Sequence, residues 1–195
     1  MKGWLVGGWV VALTFGAANA AQARPHHDGF TGDLGIGLSL MLFPVHSVSV
    51  CEGSFGCVES DTKSTQSKWG LAPLSLSLGA FVSPKVALLV RVSGTSYFSD
   101  GKQIGHNFYG AIAEVWPIDE LYLSGGIGFA LYGANPLFNG GSGSSTSGWA
   151  LDFRVGAALA QGTNHDFTLS LEAIPGFYDG DVVNGVALVG AWKWY

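Results

Sequence analysis

The stretch that most limits what this chain can become is Phe30 to Leu42, FTGDLGIGLSLML. Phe30, Leu34, Ile36, Leu38, Leu40 and Leu42 share one parity; Thr31, Asp33, Gly35, Gly37 and Ser39 share the other, and only Gly32 and Met41 blur the split. Successive side chains of a strand point to opposite faces, so the segment carries one oily face and one small, polar face. It is long for a strand of a soluble protein and matches the roughly 9–11 tilted residues that cross a bilayer.

The same alternation returns seven more times. Expected strands are Trp69–Val82, Val86–Phe98, Gln103–Trp116, Leu121–Gly133, Trp149–Ala160, Phe167–Phe177 and Val182–Tyr195. Leu89 breaks the pattern of the third, and the fourth is the least regular, with Tyr109, Ala111, Ala113 and Val115 set outward and His106 and Glu114 inward. Pro44–Lys68 and Ala134–Gly148, rich in Ser, Thr and Gly, read as long loops, and Ser99–Lys102 and Asp179–Asp181 as short ones. Ser83–Lys85, Pro117–Glu120 and Gln161–Asp166 read as tight turns on the opposite side. Long connections at one end and tight turns at the other belong to a transmembrane barrel with both termini on the side of the tight turns. An even strand number lets the last strand close on the first and leaves no edge to satisfy in lipid. The expected fold is therefore all-β: an eight-stranded antiparallel transmembrane up-and-down β-barrel spanning residues 30–195.

Residues 1–23 read as a secretory signal peptide. Lys2 precedes the apolar run Trp4–Phe15, and Ala18-Asn19-Ala20 and Ala21-Gln22-Ala23 each offer a small-x-small cleavage site. Residues 24–29 form a polar lead-in, in which His26, His27 and Asp28 have no further ligand placed by spacing to make a metal site. About 172 residues remain, enough for one domain. Without Lys2 the formal charge of −5 becomes −6, which speaks against nucleic acid as a partner. The chain is 48% hydrophobic and only 12% charged, yet no later run approaches the ~20 apolar residues of a membrane helix. Interleaved lipid-facing and lumen-facing residues produce that combination. Cys51 and Cys57 enclose CEGSFGC; in an exported chain they are expected to pair as a disulfide within the first loop.

The charges of the expected strands are Asp33, Arg91, Glu114, Asp152, Arg154, Glu172 and Lys193, and by parity all seven face inward. Arg154 falls beside Glu172, and Asp33 beside Lys193 where the barrel closes. A lumen tied by ion pairs follows, because eight strands enclose room for side chains and little else. Aromatics gather near strand ends, and Trp69, Trp116, Trp149, Phe167, Trp192, Trp194 and Tyr195 are expected to form girdles at the two headgroup levels. Pro73 and Pro175 map near the outer rim, where a missing ladder donor does little harm.

With its signal peptide, eight alternating segments and aromatic terminus AWKWY, the chain resembles the small eight-stranded outer-membrane barrels of Gram-negative bacteria, the OmpA-barrel and OmpX-like group. The resemblance implies outer-membrane lipids as surroundings, an assembly machinery that reads the last strand through Tyr195, a monomer, and no cofactor. Two functions follow: a structural or surface-interaction role through the outer loops, or a lipid-modifying hydrolase or acyltransferase. Candidates for the second are His106 with Ser96, Ser99 or Asp100, which a short hairpin brings into one neighbourhood without a motif that assigns roles. His46 stands at a loop base with no such company. A soluble lipocalin-like barrel would need the other parity to face water, and that face is too poor in charge.

Overall fold

The computed structural model describes residues 29–48, 61–134 and 145–195. Eight strands make up these segments: β1 Phe30–Val48, β2 Asp61–Ser83, β3 Val86–Ser99, β4 Lys102–Ile118, β5 Leu121–Ala134, β6 Ser145–Gln161, β7 His165–Tyr178 and β8 Asp181–Trp194. Each pairs antiparallel with the next, and β1 pairs with β8, so the sheet is a closed up-and-down barrel. Both β1 and β8 run their terminal ends to the side of the tight turns, here called the terminal end; the other is the loop end. The expected signal peptide, and Cys51 and Cys57 with their expected disulfide, lie outside the described residues.

Alternation sorts the side chains. Leu34, Ile36, Leu38, Val90, Ile127, Phe153 and Leu188 are exposed on the outer wall, whereas Thr31, Asp33, Ser77, Arg91, Asp152 and Glu172 are buried inside. Leu89 is no misfit: it pairs in register with Ile112, and both are buried on the inner face. The β3–β4 and β7–β8 turns each place an Asp-Gly pair at positive φ, Asp100 and Gly101 at 50° and 72°, Asp179 and Gly180 at 25° and 90°. Two-residue hairpins favour such a pair because its handedness matches the strand twist.

Three expectations change. First, the long loop from Pro44 to Lys68 is mostly strand. β1 continues to Val48 and β2 begins at Asp61, with Phe43 opposite Gln66 and His46 opposite Lys63. β8 accompanies β1 only as far as Leu42, and β3 accompanies β2 only as far as Leu71. Beyond those points β1 and β2 pair only with each other, as a two-stranded ribbon standing above the rim. Likewise β6 begins at Ser145, inside the expected second long loop. Second, β7 starts at His165, so Asp166 leaves the expected turn and joins the inner wall, fully buried. Third, Pro73 is not at a rim. It sits mid-strand in β2, at a bulge that shifts the register to β1 between Gly35 and Gly37 and to β3 between Leu71 and Ser75. A bulge leaves a residue out of the ladder, which removes the penalty for the missing N–H. Pro175 pairs with Asn184 near the loop end of β7.

The cross-section is not round. Cα atoms of β3 and β8 come within 8 Å although β1 and β2 lie between them in the ring. Small side chains make this flattening possible: Ala72, Ala187, Val189 and Ala191 form one buried cluster.

Candidate functional site: the charged lumen and its plugs

Parity brings the seven charged side chains of the sequence into one interior, where their exposure is 0–3%. Arg91 on β3 donates through Nη1 to Asp152 Oδ2 at 2.9 Å and through Nε to Ser77 Oγ at 2.9 Å, with Ser124 Oγ at 3.3 Å. Arg154 on β6 donates to Glu172 Oε2 at 3.1 Å, to Asp33 Oδ1 at 3.5 Å and to Ser75 Oγ at 2.5 Å. Lys193 on β8 is opposite Asp33 in register, but its ammonium lies 3.8 Å from Asp33 and only 2.5 Å from Glu114 Oε1 on β4. The small hydroxyls of Ser75, Ser77 and Ser124 leave room for the guanidinium groups and each accept one of their N–H bonds, while Arg91 Nη2 and Arg154 Nε have no partner among the described residues.

Below this layer, aromatic rings close the terminal end. Trp116 is not in a lipid-facing girdle: it shares inward parity with Glu114, is 1% exposed, and donates its indole N–H to Glu114 Oε1 at 2.8 Å. Lys193 Nζ lies 5.3 Å from the Trp116 ring centroid and 4.9 Å from that of Tyr122, which favours the cation. Tyr195 belongs to the same plug, since its hydroxyl donates to Asp166 Oδ2 at 2.7 Å and its ring tilts against Phe81. Trp69, at 79% exposure, and Trp149, Phe167 and Trp192 do face outward, and Trp194 is half-buried against Gly32.

Above the charged layer, the loop end is closed by apolar and aromatic groups. Met41, Tyr97, Phe108, Ile174, Tyr178 and Val183 are buried, with Phe43, Ile104 and Tyr132 packed against them. Phe108 lies over Gly110 and Gly128: a Cβ at either glycine would stand 2.4 Å and 2.8 Å from its ring. The two glycines are what admit so large a ring to so narrow a tube.

His106 is fully buried and not a rim residue. Neither ring nitrogen has a hydrogen-bond partner among the described residues. The hydroxyls considered with it are engaged elsewhere. Ser96 donates to Leu71 O and accepts from Gln103, and Ser99 bonds Asp100 within the turn. Among the described residues the fold thus brings together no hydrogen-bonded nucleophile, base and acid at His106. Sequence reasoning missed Asp166, Tyr122 and the loop-end plug. Parity was the available signal, because Asp166 alternates with Thr168, Ser170 and Glu172.

The arrangement defines a class: a small closed barrel, apolar outside and ionic inside, of the kind found in bacterial outer membranes. No family model matches the chain, and no curated relative matches it. Among solved structures, the chain is similar to Neisserial surface protein A (NspA), at 15% identity over 86% of this chain and 99% of that one, TM-score 0.54. It is similar also to the outer membrane protein OprG from Pseudomonas aeruginosa, at 11% identity over 88% and 99%, TM-score 0.50. The chain has the eight-stranded antiparallel fold of these small outer-membrane barrels.

Proposed function

We propose that this chain is a bacterial outer-membrane protein, exported by a cleaved signal peptide, whose non-enzymatic role is exercised at the cell surface by the β1–β2 ribbon and the neighbouring loops. The observation that carries the reading is the division of the wall: exposed apolar side chains outside, ion pairs inside, and an aromatic plug at each end. An outer wall so apolar needs hydrocarbon around it. A lumen filled by side chains offers solutes no open path, so the parts free to meet a partner are those beyond the rim. The ribbon is the largest of them among the described residues, and Lys63 to Trp69 are all exposed on it. Lipid surrounds a monomeric barrel, the last strand is read during assembly, and Cys51 and Cys57 pair as a disulfide in the connection between β1 and β2.

The test combines two measurements on intact cells. The protein in outer-membrane fractions should migrate faster in unheated than in heated gel samples, as folded barrels do. External trypsin should cut after Lys63 or Lys68, with Lys102 in the tight β3–β4 turn the one other exposed outer site among the described residues, and leave the terminal end protected. Protein found in the soluble periplasmic fraction, or a ribbon untouched by external protease, would overturn the proposal.

A further inference from the structure

Within the loop-end plug, one contact joins two opposite walls of the lumen through a histidine. His106 projects from β4 across the lumen onto β7 and β8, where glycines receive it. A Cβ at Gly176 would stand 2.6 Å from His106 Nε2, and one at Gly185 would stand 3.3 Å from Nδ1 and 2.8 Å from Thr95 Oγ1. Thr95 is the register partner of His106 on β3. The β3–β4 wall therefore rests on the β7–β8 wall through an imidazole and a hydroxyl, at two positions with no side chain.

The imidazole is unusual company for that contact. It is fully buried, and neither nitrogen has a partner among the described residues. Beside it, Thr95 Oγ1 and Tyr178 Oη are buried and equally without partners among those residues. The groups facing it are Thr95 from β3, Tyr132 opposite it on β5, Gly176 and Tyr178 from β7, and Gly185 from β8. Tyr178 meets it edge-on, with centroids 6.0 Å apart and planes at 73°. Among the described residues none of these facing groups is a carboxylate. The charged side chains of the lumen, Asp33, Arg91, Glu114, Asp152, Arg154, Glu172 and Lys193, are engaged in ion pairs of their own.

We propose that His106 is an acid-operated latch: as neutral imidazole it keeps the two walls together and the outer lumen dry, and its protonation parts them and admits water down to the Arg91–Asp152 pair. A neutral imidazole can be buried at modest cost, whereas an imidazolium without an acceptor or a counter-charge cannot. Histidine changes charge near pH 6.5 in water, within the range an outer surface meets. The open form hydrates the charged ring and the closed form excludes it, so falling pH favours the open form. The unpartnered hydroxyls of Thr95 and Tyr178 give entering water its hydrogen bonds.

The test is hydrogen–deuterium exchange on the folded full-length barrel in micelles, at about pH 7.5 and about pH 4.5, corrected for intrinsic rates. In the wild type, peptides covering Gly176 and Gly185 should exchange about tenfold faster in acid, while those covering Asp33 and Lys193 stay protected. In His106→Phe, which keeps a ring but cannot charge, the acid response should vanish. A merely structural role would change protection equally at both pH values. An unresponsive wild type, or an equal response in His106→Phe, would overturn the latch. If His106→Phe does not fold, NMR of the wild type decides: the amides of Gly176 and Gly185 must titrate with the midpoint of the His106 ring, and separate midpoints would sink the idea.

Discussion

Lys193 Nζ stands 2.5 Å from Glu114 Oε1, although β8 and β4 face each other across the full width of an eight-stranded ring. Their meeting means that the interior is spanned by side chains and not filled by solvent. It ties the last strand, which must find β1 to close the barrel, to the strand furthest from that seam.

This bridge should be costly to break from one side. Lys193→Met leaves Glu114 buried, keeping the Trp116 indole N–H but losing its cation. Removing one partner of a buried pair costs about 3–5 kcal/mol. Replacing both partners, as Lys193→Met with Glu114→Leu, should recover most of that loss, because the second buried charge goes as well. Urea titration in lipid vesicles, read by the heat-dependent gel shift, checks both variants. A double variant no more stable than Lys193→Met would show that the pair is not the unit that matters.

Ile127 lies mid-way along β5 with its side chain on the outer wall. Ile127→Arg should destabilise the barrel by about 2–4 kcal/mol in vesicles, the cost of a cation near mid-bilayer. The same exchange on the ribbon, at the exposed Thr65, should stay within about 0.5 kcal/mol. Equal effects at the two sites would place Ile127 in water and contradict the membrane-facing wall.

Glycines of the barrel wall differ in what they tolerate. A Cβ at Gly128 would lie 2.3 Å from Tyr109 O and 2.6 Å from Gly110 Cα, both backbone atoms that cannot swing away. At Gly105 the nearest atom is 3.5 Å away and belongs to the Asn107 side chain. Gly128→Ala should therefore cost about 1–3 kcal/mol, whereas Gly105→Ala should cost little. Equilibrium unfolding of the two variants in the same detergent separates them.

Most of the barrel was legible because lipid and lumen impose period-two sorting on every strand. The eight strands, their order and the inward set of charges all follow from parity. Parity fails where both faces meet the same surroundings. Lys63 to Lys68 has water on both sides, so its polar run carries no alternation and reads as a loop, though its backbone pairs with β1. Position near a strand end also misleads. Trp116 and Tyr195 sit where a girdle belongs, but Trp116 has the parity of Glu114 and Tyr195 reaches Asp166. Which cation answers which acid across the lumen was not readable either. Register places Lys193 beside Asp33, and only the flattened cross-section and side-chain reach deliver it to Glu114.

The ribbon is tied to the rim by Lys63, which pairs with Asp181 at 2.8 Å and donates to Gly180 O at 3.2 Å. Both side chains are partly open to solvent, so the pair contributes under about 1 kcal/mol and fades in salt. The ribbon's ladder is separate from the barrel's, since its residues pair only with each other. Cutting the chain after Lys63 or Lys68 should thus leave the remaining strands closed. Trypsin-treated barrel, run unheated, should keep its folded mobility, and heating should release two fragments where there was one chain. Lys63→Ala should speed the cleavage at Lys68 by loosening the ribbon from the β7–β8 turn, without shifting the urea midpoint of the barrel. A nicked protein that unfolds at once would mean that the ribbon holds the barrel together, and that its extension beyond the rim serves stability and not the surface.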